Sequence, residues 1–160
     1  MDTSVWYAAA DRSDRSHRRA VRILAGGEDL LTTDHVLVET WLLLRHRLGR
    51  SAAERFWEGL RAGAGEIEPV GAADLEVAWA FAETFPDQDF SIAHRTSFAV
   101  MLRLGLRRVA SFDEDFAVFR FGKGRVRVAR GVPSPVSSGD ESSGPASRRR
   151  WSKGDTWART

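Results

Sequence analysis

Between Ser91 and Gly105 the apolar residues Phe98, Val100, Met101, Leu102 and Leu104 fall on a helical pattern. The pattern predicts a helix capped by the Ser91 hydroxyl and stopped at Gly105, a natural residue to follow a helix. Arg107–Phe112 then predicts a short strand, with Asp113 standing where it ends. Upstream, an alanine-rich helix follows residues 2–7, and Ala20, Val21 and Leu24 mark a second helix over 14–25, ended by Gly26-Gly27. Leu30–Thr33 predicts a strand. Asp34 is expected to cap a long helix over 35–48 that turns Val38, Leu42 and Leu44 inward, and Gly49 stops it. A further helix covers 51–62, with Ser51 and Glu54 in capping-box spacing and Phe56, Trp57 and Leu60 as its apolar face. Ile67–Val70 reads as a strand and 74–85 as a helix with Leu75, Val77, Ala78 and Phe81 apolar. Residues 116–128 are expected to add an edge strand.

Short strands alternating with helices imply an α/β fold, a mainly parallel sheet covered by helices on both faces. From about residue 131 the composition turns to Pro, Ser and Gly, then to Arg148-Arg149-Arg150 and isolated tryptophans. The expected organisation is one domain over 1–122 and a basic, low-complexity, disordered tail over 123–160.

Composition adjusts this picture in three ways. The net charge of +2 hides an asymmetry: the tail holds nine Lys or Arg against three acids, leaving fifteen bases against nineteen acids in residues 1–122. The high isoelectric point therefore belongs to the tail and says little about the domain. No cysteine is present, so disulfides, thiolate metal sites and cysteine nucleophiles are excluded. The N-terminus lacks the basic start and apolar run of a secretory leader, and no stretch approaches the roughly 20 apolar residues of a membrane span. A soluble, cytoplasmic protein without membrane contact is expected.

Candidate chemistry lies in the acids at strand ends and helix starts: Asp2, Glu39, Asp87, Asp89 and Asp113. In a parallel α/β sheet such positions share one rim, where ligands are met. Clustered carboxylates repel unless a cation neutralises them, and hard oxygen ligands suit Mg²⁺ or Mn²⁺. Such a centre can hold a water for attack on a phosphodiester. His17, His35 and His46 form no zinc spacing, and no phosphate-binding glycine loop is present.

Four segments carry a resemblance: Asp2-Thr3-Ser4-Val5-Trp6; Thr33-Asp34-His35-Val36-Leu37-Val38-Glu39-Thr40; Asp89-Phe90-Ser91 with Thr96-Ser97-Phe98-Ala99; and Ser111-Phe112-Asp113-Glu114-Asp115-Phe116. In this order and spacing they resemble the PIN-domain nucleases, and among these the VapC-type toxins of toxin–antitoxin pairs, over residues 1 to about 122. The resemblance implies a PIN-like fold and a metal-dependent ribonuclease toxin, inhibited by a cognate antitoxin and commonly a homodimer. It implies Asp2, Glu39 and Asp113 as ligands of Mg²⁺ or Mn²⁺, with Thr3, Ser4 and Ser97 as polar neighbours of the site. Arg95, Arg103, Arg107 and Arg108 could hold RNA phosphates. Part of the helical pair bearing Trp41, Phe56 and Trp57 is implied as a groove for the antitoxin or a second copy.

Two departures bear on activity. Where the family pattern carries an aspartate, three residues past Ser91, this chain has His94. A neutral imidazole is a poor ligand for Mg²⁺ but acceptable to Mn²⁺. Weakened activity is one expectation; in another, Asp89 stands in or His94 acts as a general acid or base. The alternative function is an impaired PIN pseudo-enzyme that binds antitoxin or RNA without cutting. The second departure is at the start, where Met1 alone precedes Asp2 in place of a central strand. This implies a truncated first strand, an Asp2 able to fray, or a true start further upstream.

Overall fold

A computed structural model describes residues 1–119 in full and the backbone of 120–121, 124–125 and 127–128. Of the tail expected over 123–160, 124–125 and 127–128 are among the described residues, both as strand; the rest lies outside them. The elements run α1 (Thr3–Ala10), α2 (His17–Leu24), β1 (Leu31–Thr33), α3 (Asp34–Leu48), α4 (Arg50–Gly59) and β2 (Glu66–Glu68). They continue with α5 (Ala72–Thr84), α6 (Ile92–Arg103), β3 (Arg108–Val109), α7 (Asp115–Val118), β4 (Arg120–Phe121), β5 (Gly124–Arg125) and β6 (Arg127–Val128).

Strand pairing is mainly parallel, as the alternation of elements predicts, but among the described residues it falls into three two-stranded pieces and not one continuous sheet. β1 pairs with β2 in parallel (Thr32 opposite Ile67), and β3 pairs with β6 in parallel (Val109 opposite Val128). β4 and β5 form an antiparallel hairpin. Met1 and Asp2 join the two parallel pairs. The Met1 amine donates to the Leu31 carbonyl at 2.5 Å, and Thr32 Oγ1 donates to the Met1 carbonyl at 3.1 Å. On the other side the Asp2 N–H donates to the Ala110 carbonyl at 3.0 Å. These two residues thus do the bonding of a central strand, and Asp2 is only 1% exposed. The expected fraying does not occur, because both flanking strands hold its backbone.

Three apolar clusters surround this centre. The largest is aromatic: Phe90, Phe98, Met101, Val109, Phe116 and Phe119, backed by Phe81 and Phe85. Phe98 stacks face to face on Phe119 at 3.9 Å and meets Phe81, Phe90 and Phe116 edge-on, the arrangement ring quadrupoles favour. Trp6, Val36, Leu60 and Ala93 form the second cluster, and Val5, Ala8 and Ala20 the third.

Helix α6 behaves as its sequence predicts. Ser91 Oγ accepts the His94 N–H, and Gly105 (φ +66) closes the helix with Leu106 N–H on the Met101 carbonyl and Gly105 N–H on that of Leu102.

Other expectations are corrected. Thr33, not Asp34, caps α3, its Oγ1 accepting the Val36 N–H; Asp34 is the first helical residue and accepts the Val70 N–H. The inward stripe of α3 is Val36, Thr40 and Leu44, whereas Val38 and Leu42 are exposed. Thr40 can occupy the core because its hydroxyl donates to Thr3 Oγ1, so a polar residue interrupts the apolar pattern. No capping box forms at α4: Gly49 precedes it without a side-chain cap, and Ser51 Oγ accepts from Arg55 instead. Trp57, Leu75 and Val77 are exposed, leaving Phe56, Leu60, Ala78 and Phe81 to face inward. The edge strand expected from 116 is preceded by α7, which turns Phe116 and Phe119 into the aromatic cluster. Among the described residues no helix is long and apolar enough to cross a membrane.

Candidate functional site

Asp2 forms the floor of the site. It caps α1, and its Oδ2 accepts three hydrogen bonds: from the Ser4 N–H at 3.1 Å, Ser4 Oγ at 2.5 Å and Ser111 Oγ at 2.9 Å. The same hydroxyls reach the turn after β3. Ser4 Oγ accepts the Phe112 N–H and Ser111 Oγ accepts the Asp113 N–H, each at 2.9 Å. Two serines thereby lace residues 2–4 to residues 111–113. The other oxygen, Asp2 Oδ1, is buried and has no hydrogen-bond partner. A buried carboxylate oxygen left this way is costly unless a cation meets it.

His94 stands over that oxygen. It lies in the first turn of α6 with its ring against the edge of Phe116, centroids 5.2 Å apart. Nδ1 is 2.9 Å from Asp115 Oδ2. A carboxylate can only accept, so Nδ1 carries the proton of this bond. Nε2 faces Asp2 Oδ1 at 3.7 Å and Asp113 Oδ2 at 3.9 Å, beyond hydrogen-bonding reach of either. β3 ends at Val109, short of the strand expected to 112, so Asp113 stands in the turn after it; its Oδ1 accepts the Asp115 N–H at 2.9 Å, which starts α7 and swings Asp115 back toward His94. The Asp113 and Asp115 side chains are 41% and 34% exposed, so the site opens to solvent on their side while Asp2 closes it below.

The remaining candidates are placed less centrally. Glu39 is joined to the floor through Thr3, whose hydroxyl donates to Glu39 Oε2. Among the described residues, the group whose ligand atoms all lie within 4.8 Å is His94, Asp113 and Asp115. Glu39 is outside it, and so is Asp2, which approaches the group through His94 Nε2 at 3.7 Å. Asp89 is exposed at the end of the loop before α6 and is also outside, while Asp87 accepts from its neighbour Gln88. Ser97 is buried on α6. Arg95 is half-buried, with Nε shut away from solvent and unpartnered. Arg103 is committed elsewhere, to Asp74 and Glu68 at 2.9 Å each. Its hydrogen bonds hold the Asp74 carboxyl below the usual carboxylate range, against the opposing effect of burial. That network ties α6 to α5 and β2, a structural role.

Two features were not drawn from the sequence. Asp115 sits two residues beyond Asp113, where an extended chain would carry it onward along the same face; the short helix folds it back toward His94 instead. A groove of about 340 Å³ is lined by Arg15, Ser16, Arg19, Phe112 and Glu114, the last two bracketing Asp113 in the chain. The Arg19 guanidinium lies over the Phe112 ring at 5.6 Å. Arg15 and Arg19 stand in a run of arginines with no local motif to distinguish them.

A divalent cation fits this donor set: Asp2 Oδ1 is buried without a partner, Asp113 and Asp115 are exposed at the rim, and an imidazole nitrogen faces the same space.

Comparison with known proteins agrees with the geometry. The PIN domain family matches residues 1–122. The chain is 34% identical over 122 residues to the 23S rRNA-specific endonuclease VapC20 of Mycobacterium tuberculosis, covering 76% of this chain and 93% of that protein. It is 28% identical over 131 residues to Ribonuclease VapC26 of the same organism, covering 80% and 97%. The crystal structure of M. tuberculosis VapC20, titled a sarcin-ricin loop cleaving toxin, superposes with a TM-score of 0.70 at 34% identity, covering 78% of this chain and 96% of that one.

Proposed function

The chain belongs to the PIN-domain family, and we propose that it is a metal-dependent endoribonuclease of the VapC toxin type, acting on RNA phosphodiesters from the site over Asp2. The observation that carries this reading is the convergence of Asp2, His94, Asp113 and Asp115 above a buried carboxylate oxygen without a partner. The relatives named as ribonucleases support RNA as the substrate class.

Asp2 and Asp113 would hold a divalent cation, Mg²⁺ or Mn²⁺, with Glu39 supporting the floor through Thr3. When bound, the cation supplies an activated water and neutralises charge on the phosphate. Ser4 and Ser111 fix the Asp2 carboxylate and the Asp113 backbone in one arrangement, so the acids are set before substrate arrives. The exposed rim admits the RNA, and Arg15 and Arg19 in the groove beside Phe112 offer cations for its phosphates. Ser97 and Arg95, on the same helix as His94, complete the proposed substrate surroundings. A cognate antitoxin that covers the site, and a homodimeric state, belong to the same proposal. So does the division into a nuclease domain over 1–122 and a separate basic tail.

A second reading has its own observation. An imidazole among three carboxylates replaces an acid by a group that binds hard cations poorly, which favours a protein that binds RNA or antitoxin without cutting. RNA cleavage by the full chain beside His94→Asp, in Mg²⁺ and in Mn²⁺ with Asp113→Asn and Glu39→Gln as blanks, separates the two. Cleavage by the native chain that both blanks abolish upholds the nuclease. Cleavage by His94→Asp alone transfers the chain to the binding-only reading.

A further inference from the structure

We infer that His94 makes this centre select a first-row transition cation over Mg²⁺, with Nε2 as a nitrogen ligand and Asp115 as the group that aims it. The inference rests on the metal-site reading above and specifies which ion the site takes and how.

Asp115 Oδ2 lies 2.9 Å from Nδ1 and can only accept, so Nδ1 donates this bond and Nε2 is the nitrogen turned into the site. It faces Asp2 Oδ1 and Asp113 Oδ2 at 3.7 and 3.9 Å. Two donors each about 2.1 Å from a shared cation lie roughly 3.0–4.2 Å apart, so Nε2 stands at a bridging distance from each carboxylate oxygen and too far for a direct hydrogen bond to either.

An independent observation points to the same space. Asp2 is 1% exposed, its Oδ2 is saturated by three donors, and its Oδ1 is aimed upward without a partner. The protein has satisfied one oxygen fully and left the other for something else.

Donor chemistry then chooses among ions. Mg²⁺ holds to oxygen in near-ideal octahedra, whereas imidazole suits the divalent ions from Mn²⁺ onward. A carboxylate bonded to the far nitrogen of a ligating histidine fixes its tautomer and raises its basicity. Asp115 stands in that place. The ring is also clamped: Phe116 packs edge-on at 5.2 Å and Phe98 lies at 6.4 Å, so Nε2 is held in one direction. Asp115 is a positioning residue in this scheme, acting through His94.

The test is direct metal binding by the full chain stripped with chelator, and it needs no RNA. Free Mn²⁺ is counted by its EPR signal during titration, Mg²⁺ is measured by competition, and the His94 ring nitrogens are followed by ¹⁵N NMR on adding Zn²⁺. The native chain is expected to prefer Mn²⁺ over Mg²⁺ by at least about tenfold. His94→Asp should narrow that ratio several-fold by gaining affinity for Mg²⁺. Asp115→Asn should lower Mn²⁺ affinity by about 10–100-fold. Exposed His46→Gln should change nothing. Zn²⁺ should shift Nε2 strongly and leave Nδ1 protonated; this measurement stands even if a variant fails to fold.

Equal Mn²⁺ and Mg²⁺ affinities in the native chain, an unmoved Nε2 resonance, or binding by His94→Asp alone would each overturn the inference. The nuclease reading fails separately. A chain that binds Mn²⁺ through Nε2 yet cuts no RNA sinks the nuclease alone. One that cuts in Mg²⁺ without any preference for Mn²⁺ sinks the inference alone.

Discussion

Replacing Ser111 by alanine tests the lacing at the floor of the site. Ser111 is fully buried; its hydroxyl donates to Asp2 Oδ2 and accepts from the Asp113 N–H, both at 2.9 Å. A hydrogen bond to a charged group contributes about 1.5–3 kcal/mol, and Oδ2 would keep only its two bonds from Ser4. The Asp113 N–H also loses its acceptor, but that residue is partly exposed and water can replace the hydroxyl at a cost of roughly 0.5 kcal/mol. The sum is a destabilisation of about 2–3.5 kcal/mol, which for a domain near this size lowers Tm by roughly 6–14 °C. Urea unfolding followed by circular dichroism, in chelator, measures it. Ser13→Ala is the control, since that hydroxyl bonds Asp11 at the surface and should cost below about 0.5 kcal/mol. A Ser111→Ala chain within 0.5 kcal/mol of its parent would refute the argument that these serines set Asp2.

Three further outcomes are expected. Phe98→Ala empties the centre of the aromatic cluster and should cost about 3–5 kcal/mol in the same unfolding assay; a loss under 2 would contradict the packing. Arg103 holds the Asp74 carboxyl below its ordinary range, so the folded chain binds fewer protons there than the unfolded one. That contribution is present above about pH 4 and is lost as pH falls further, so the stability gap between parent and Asp74→Asn should narrow below about pH 4 in pH-dependent unfolding. Arg15→Ala should weaken RNA binding and reduce the slope of log K against log salt by about one, whereas Asp113→Asn should bind RNA without cutting it.

The sequence discloses most of the elements because caps and stops are local. Ser91 and Gly105 announce α6 by backbone chemistry that needs no partner. It discloses less of which face turns inward. Thr40 is buried on α3 because Thr3, thirty-seven residues away, accepts its proton, and an apolar count favours Val38 and Leu42 instead. The candidate acids were legible as segments, yet their grouping was not. Glu39 is drawn to Thr3, outside the close group, and Asp115 enters because the Asp113 side chain starts a helix where strand propensity suggested extension. The strand role of Met1 and Asp2 was hidden for the same reason: it depends on Leu31 and Ala110, far along the chain.

The hydrogen bonds from Phe112 to Ser4 and from Ser111 to Asp2 span 108 and 109 positions of the chain. Contacts of such separation close late, because the loop entropy must be met before they return any energy. During synthesis from the N-terminus, Asp2 is made first and waits for Ser111, Asp113 and Asp115 to emerge before its site can exist. A chain made only as far as α6 therefore still lacks Ser111, Asp113 and Asp115, and with them a working centre. For a protein proposed to cut RNA, that order withholds cleavage until the domain is nearly complete.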